Sequence, residues 1–258
     1  MGGGEIPTGL GWRNYAYHYK WNGTNWTSVS TLTTNEFAET CAVIYNNEIH
    51  LLGGFNGSNA QSLHHKFNGT KWVSVSTLPR TARNGYAGFV VFNNEIHMFG
   101  GEDTSSTPTN TVHYKYNGSS WTSLSDTLPM GYRGSSTVLY KNEIHLLGSS
   151  ITSYFTSHYK FNGSSWVSVS TLPISRAQSG YTVFLVYNDE IHLLGGYASS
   201  EYLVHYSFNG SAWTKQNDIT LRVNTTVPKV IFNNEPHFLG VYGDGNLHAK
   251  MVDVYTKE

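Results

Sequence analysis

The chain is short of nearly everything that would mark a familiar enzyme or a nucleic-acid binder. Of its 258 residues only one is cysteine, Cys41, so no disulfide can form within the chain and cysteine usage does not reveal a redox compartment. Charged residues make up only 13%, and the formal net charge is −1. With no basic footprint, neither nucleic acid nor an anionic membrane surface is an expected partner. Long apolar runs are missing too. Stretches such as "VFLV" at 183–186 are strand-sized and far too short to cross a bilayer. The opening "MGGGEIPTGLGW" lacks the charged-then-apolar pattern of a secretory signal, and the compartment is left open. Helix formers are scarce and no segment holds a helical period. Tyr, Ser, Thr, Asn and Gly are abundant, which favours strands joined by turns.

What is present is a repeat. "NNEIHLLGG" at 46–54 returns as "NNEIHMFGG" at 93, "KNEIHLLGS" at 141, "NDEIHLLGG" at 188 and "NNEPHFLGV" at 233. Its histidines, His50, His97, His145, His192 and His237, are spaced by 47, 48, 47 and 45 residues. A second motif, "HYKWNGTNWTSVSTL" at 18, recurs between these copies and carries Trp26, Trp72, Trp121, Trp166 and Trp213. Each unit divides into four strands. Strand a is "CAVIY" (41–45), b is "EIHLLGG" (48–54), c is "HHKF" (64–67) and d is "KWVSVSTL" (71–78). Asn-Asn joins a to b and Asn-Gly joins c to d, both hairpin signals because these residues accept positive φ. Strand a is almost wholly apolar, as a strand covered on both faces is, and strand d alternates cleanly. A period of about 47 with four strands fits one propeller blade.

These residues resemble the kelch repeat. The double glycine closing strand b stands at Gly53-Gly54, Gly100-Gly101 and Gly195-Gly196, and the copies at 148 and 240 depart from it as "GS" and "GV". A tyrosine precedes the tryptophan by seven residues at Tyr19, Tyr114, Tyr159 and Tyr206, with His65 as the exception. The wording of the repeats also looks like kelch-like arrays of bacterial and bacteriophage surface or tail-associated proteins. The expected fold is an all-β propeller of four-stranded antiparallel blades, with five blades, over 14–258, after a lead segment at 1–13. The N-terminus supplies only c and d, and the C-terminus only a and b, so both termini are expected to share the closing blade and remove the open edges. "NLHAKMVD" near 246 is a worn further copy of strand c. Either it or the N-terminal c strand fills that place.

All twelve histidines fall in two columns: the five of strand b, and His18, His64, His65, His113, His158, His205 and His248 at the c motif. A catalytic or metal-binding histidine has no reason to be copied into every blade. The histidines are therefore expected to be satisfied polar groups, paired across b and c or lying between blades. The repeated Glu48, Glu95, Glu143, Glu190 and Glu235 are read the same way. No zinc or EF-hand spacing occurs, and no cofactor or metal is expected. Each tryptophan should fill space between neighbouring blades, so that Trp72→Ala costs roughly 3–5 kcal/mol. The six Asn-Gly-Ser/Thr sequons, at Asn22, Asn56, Asn68, Asn117, Asn162 and Asn209, are read as turn chemistry; all but Asn56 lie in c–d turns.

The differences between copies carry the functional expectation. The a–b and c–d turns never change length. From the strand b His to the aromatic before the next Asn-Gly there are 17, 19, 16 and 16 residues, and from each Trp to the next a–b turn 20, 21, 20, 22 and 20. Four antiparallel strands put the uniform turns at one end of each blade and the variable connections at the other, where function usually sits. Five of the six arginines, Arg80, Arg83, Arg133, Arg176 and Arg222, fall in d–a connections. Their planar donor forks suit carboxylates and other polar groups. Glu36 lies in the first of these connections, and Tyr132, Tyr154, Tyr197, Tyr202 and Tyr242 lie in the variable segments. Tyr with Ser, Gly and Asn is a recognition composition. Kelch d–a loops also hold arginine for structural reasons, so a mixed role is expected.

The leading expectation is a monomeric, non-enzymatic module that binds a protein or glycan with this end, the end kelch-like proteins commonly use. One alternative is a sugar-modifying, epimerase-like enzyme on the same end, using arginine with Glu36 or Glu102. Another is a structural unit of a fibre or tail. The kelch-like copper-radical oxidases need a Cys–Tyr cross-link beside two histidines, which Cys41 in a strand a does not offer.

Overall fold

The computed structural model describes residues 4–8, 11–15, 17–32, 40–56, 58–82, 87–101, 111–129, 136–148, 156–174, 182–195, 204–218, 229–232, 235–239 and 251–253. Among these there is no helix, and every named element is a strand. The chain forms two compact units, Met1–Leu128 and Pro129–Glu258.

The first unit opens with a hairpin of β1 (Gly4–Thr8) and β2 (Gly11–Tyr15), then the pair β3 (Tyr17–Trp21) and β4 (Trp26–Thr31). Two complete blades come next. The first is β5 (Cys41–Tyr45), β6 (Glu48–Leu52), β7 (Gln61–Phe67) and β8 (Trp72–Ala82). The second is β9 (Ala87–Phe92), β10 (Glu95–Gly100), β11 (His113–Tyr116) and β12 (Trp121–Ser123). The second unit repeats the plan. Its first blade is β13 (Ser136–Tyr140), β14 (Glu143–Leu147), β15 (Ser157–Phe161) and β16 (Trp166–Thr171). Its second is β17 (Thr182–Tyr187), β18 (Glu190–Gly195), β19 (His205–Phe208) and β20 (Trp213–Lys215). A three-stranded sheet, β21 (Lys229–Phe232), β22 (Glu235–Leu239) and β23 (Met251–Asp253), ends the chain.

Four full antiparallel blades plus the terminal strands are the strand set of an all-β, five-bladed propeller. The place of strand c beside β22 is taken by β23, paired Leu239↔Met251. The N-terminal c strand, β3, pairs among the described residues with β4.

The core lies between successive blades. In the first unit Tyr45, Leu52, Leu78 and Ala82 of one blade pack with Ala87, Ile96, Met98 and Tyr116 of the next. In the second, Tyr140, Leu147, Leu172 and Ile174 pack with Phe184, Ile191, Leu193 and Phe208. An antiparallel sheet with both faces covered must find its apolar partners in its neighbours, so each blade is stabilised chiefly by the next. Three of the tryptophans obey this rule. Trp72 packs edge-on to His18 of β3, and Trp121 to His64 of the preceding blade, at ring distances of 5.6 and 5.7 Å. Trp213 stands 5.8 Å from His158. Trp26 departs from the expectation. It is 69% exposed, and its ring lies 5.8 Å from that of its own cross-strand partner, Trp21.

Strand d does not alternate cleanly, as its sequence suggests. His64 pairs with Ser76 but His65 with Ser74, which leaves Val75 as a bulge, and the same slip occurs at Val29 and Val169. A bulge adds one residue to one strand and re-aims the side chains beyond it. Here it brings Ser76 Oγ to 3.2 Å from His64 Nδ1 and Ser170 Oγ to 3.2 Å from His158 Nδ1, while Val75 and Val169 pack against the core.

Candidate functional site

One end of each blade is fixed by turn chemistry. The a–b hairpins close on the pairs Tyr45↔Glu48, Phe92↔Glu95, Tyr140↔Glu143 and Tyr187↔Glu190, leaving two-residue loops. Both loop residues have φ of 48–60° in all four blades. That is the type I′ signature, whose twist matches the strands it joins. Asn and Asp tolerate this region. Lys141 sits there as well, and its Nζ reaches Asp189 Oδ2 (3.2 Å) and the Asn209 carbonyl (3.3 Å) in the following blade.

The c–d turns use Asn-Gly differently from the expectation. The loop spans four residues, between pairs such as Trp21↔Trp26 and Phe67↔Trp72, and only glycine takes positive φ, at 95–106°. The asparagine works through its side chain. Oδ1 of Asn22, Asn68, Asn117, Asn162 and Asn209 accepts backbone N–H groups two and three residues on, at 2.8–3.1 Å. Asn56, alone in a b–c connection, makes the same two bonds with Ser58 and Asn59. The glycine also lets the preceding blade approach: a Cβ on Gly118 would stand 3.3 Å from Tyr45 Oη, and one on Gly210 3.4 Å from Tyr140 Oη.

The opposite end is where the b–c and d–a connections leave. Its stems are regular. Gly53, Gly148 and Gly195 each donate to the strand c side, at 2.8–2.9 Å. The double glycine provides clearance for the end of strand d. Gly54 N–H donates to the Ala82 carbonyl at 2.7 Å, and a Cβ on Gly53 would fall 2.3 Å from that same oxygen. Across the same segment, a Cβ on Gly101 of the next blade would meet the Thr81 carbonyl at 2.9 Å and Arg80 Cβ at 3.4 Å. Residues 80–82 thus run in a slot between two glycine pairs.

This corrects where Arg80 lies in the fold. The sequence pattern ends strand d at Leu78 and puts Arg80 in the connection. Instead β8 continues to Ala82, which pairs with Gln61, because the longer strand c of this blade offers it a partner. Arg80 is half-buried in a strand rather than displayed on a loop. The remaining candidate residues, Arg83, Arg133, Arg176, Arg222, Glu36, Tyr132, Tyr154, Tyr197, Tyr202 and Tyr242, lie outside the described residues.

Nine histidines of the two columns are buried: His18, His50, His64, His97, His113, His145, His158, His192 and His205. In the four complete blades Nδ1 of the strand b histidine meets Nε2 of a strand c histidine: His50–His64 at 2.8 Å, His97–His113 and His145–His158 at 2.7 Å, and His192–His205 at 2.9 Å. The pairs are diagonal, since His50 lies opposite Lys66 and His64 opposite Leu52. That diagonal also sets the ion pairs Glu48–Lys66, Glu95–Lys115 and Glu143–Lys160, at 2.8–2.9 Å. Burial, helped by the neighbouring imidazole and lysine, holds His64, His113 and His158 down to about 3. His97 and His145 are held at about 4, mainly by burial. The strand b histidines of these four blades, with Glu48, Glu95 and Glu143, thus make cross-strand contacts within the blade. Burial also pushes the Cys41 thiol up to about 12, far from a reactive thiolate.

Sequence reasoning missed the slot at residues 80–82, the serines aimed by the bulges, and the Lys141 bridge. The first two had a signal, the repeated Gly-Gly and Ser-Val-Ser, but what each packs against is not written beside it in the chain.

No protein-family model and no curated protein sequence matches the chain. Among solved structures, the one titled "Structure of YjhT" is similar to it with a TM-score of 0.64 and 17% identity, covering 83% of this chain and 75% of that one. At that identity the likeness is one of fold.

Proposed function

We propose that this is a kelch-type propeller acting as a non-enzymatic recognition module, which binds a protein or glycan through its b–c and d–a connections. One observation carries the reading: the contrast between the two ends of the blades. The a–b and c–d turns repeat the same dihedrals and hydrogen bonds in blade after blade. The opposite connections start from regular stems and then differ in length and composition. A rigid frame that holds one end constant and varies the other is the arrangement of a binding scaffold.

Arg83, Arg133, Arg176 and Arg222 supply the planar donors in this reading, with Glu36 and the tyrosines of the variable segments as further contacts. Arg80 serves the strand and its glycine slot. Screening the protein on glycan and peptide arrays identifies the ligand. Replacing the four arginines with alanine together then abolishes binding while the thermal midpoint stays close to wild type. Binding that survives the fourfold replacement overturns the assignment of the face.

A further inference from the structure

The four complete blades share a buried feature that recognition does not require. In each, one imidazole nitrogen faces another across strands b and c at 2.7–2.9 Å. Such a contact holds when one nitrogen carries a proton and the other is bare. Two neutral rings satisfy it, whereas two protonated rings set donor against donor. Direct exposure to solvent is slight, with the eight rings between 0% and 5% exposed.

We propose that the paired histidines form an acid latch, which ties strand b to strand c near neutral pH and parts reversibly on acidification, loosening the blades.

Burial outweighs the groups that favour an added proton, among them Glu48, Glu95, Glu143 and the backbone at Phe92 and Asn217. His50 and His64 are faced by Glu48 and Lys66, already paired at 2.8 Å, by His65, and by the rings of Tyr45 and Tyr116. His97 and His113 face the Glu95–Lys115 pair, and His145 and His158 face Glu143–Lys160 and Tyr140. The fourth pair differs: Ser207 stands opposite His192 where the other blades have lysine, and Glu190, Asp218 and Tyr187 face the pair. Without that lysine, less positive charge opposes a proton on this pair. The latch also reaches between blades. Trp121 Nε1 donates to His64 Nδ1 at 3.2 Å, so a proton on that nitrogen breaks an inter-blade contact as well.

Folded histidines held at about 3 to 4, below the ordinary 6.5, bind fewer protons than the unfolded chain between those values. Stability is therefore full above about pH 6.5 and lost as the pH falls toward 4. Each pair raises the unfolding constant by up to about 100-fold per pH unit in that window.

Urea unfolding of the whole chain between pH 7.5 and 5.0, monitored by near-ultraviolet circular dichroism, tests this. The expected result is a midpoint that falls steeply below pH 6.5 and a signal that recovers on return to pH 7.5. His50→Asn with His64→Gln offers amide groups at the two facing positions without titrating. It should weaken the pH dependence by up to about 100-fold per unit. His145→Asn with His158→Gln should do the same in the second unit. A wild-type midpoint that is flat from pH 7.5 to 5.0, a signal that does not recover, or double variants as acid-sensitive as wild type would each overturn the latch.

Discussion

Gly53→Ala isolates what the double glycine does. Its φ is +66°, a region an L-residue enters at a cost of about 1 kcal/mol. The new Cβ would lie 2.3 Å from the Ala82 carbonyl oxygen, 2.8 Å from its carbon and 2.9 Å from Ala82 Cβ. That overlap is relieved only if the end of β8 retreats by about an ångström, since ordinary contact begins near 3.4 Å. Retreat breaks the 2.7 Å bond from Gly54 N–H to the same oxygen, inside a buried segment. Losing a buried backbone bond costs about 1–3 kcal/mol. The total expected is about 2–4 kcal/mol. Gly69→Ala is the control, for it also has positive φ, at +95°, but nothing within 4 Å of its Cβ. It should cost only the backbone strain, about 1–2 kcal/mol. Urea unfolding read by tryptophan fluorescence and far-ultraviolet circular dichroism gives both values, provided the two probes coincide. Equal destabilisation by the two substitutions would falsify the clearance argument and reduce the motif to a pair of strained turns.

Trp72→Ala should destabilise by about 3 kcal/mol, the low end for a large aromatic because the residue is only half-buried, whereas Trp26→Ala, 69% exposed, should change stability by less than about 0.5 kcal/mol. Denaturant midpoints of the two variants check the contrast, and equal effects would reject the inter-blade role of Trp72. Asn117→Ala removes the acceptor of two backbone N–H groups and should cost about 1 kcal/mol, while Asn117→Asp, which keeps an acceptor oxygen, should cost less. Thermal unfolding of the pair decides whether the side chain or only Gly118 shapes the turn.

The repeat made much of the fold legible in the chain itself. Strand a at 41–45 and the a–b hairpins fell where the sequence put them, because an apolar run and two residues tolerant of positive φ are local facts. That the histidines serve the scaffold was legible for a different reason, since a residue copied into every blade has to serve the blade, but whether they pair across b and c or lie between blades was left open. The end of strand d was not legible. Nothing in "STLPRTA" tells that β8 runs on to Ala82, since that depends on the partner it finds at Gln61. The candidate face was inferred by comparing the copies with one another, and of its residues only Arg80 lies among the described ones, in a strand rather than a connection.

By itself, then, the sequence determined the period, the strand order, the a–b turn geometry and which end of each blade is constant. All of these come from propensity and spacing within a few residues. Tertiary structure decided which imidazole meets which, that Val75 bulges so Ser76 can reach His64, and that Trp121 reaches His64 from 57 residues away. It also gave the double glycine its purpose as room for a neighbouring carbonyl. Those choices rest on which faces of separate strands are brought together, and burial and packing fix that only when the blades assemble.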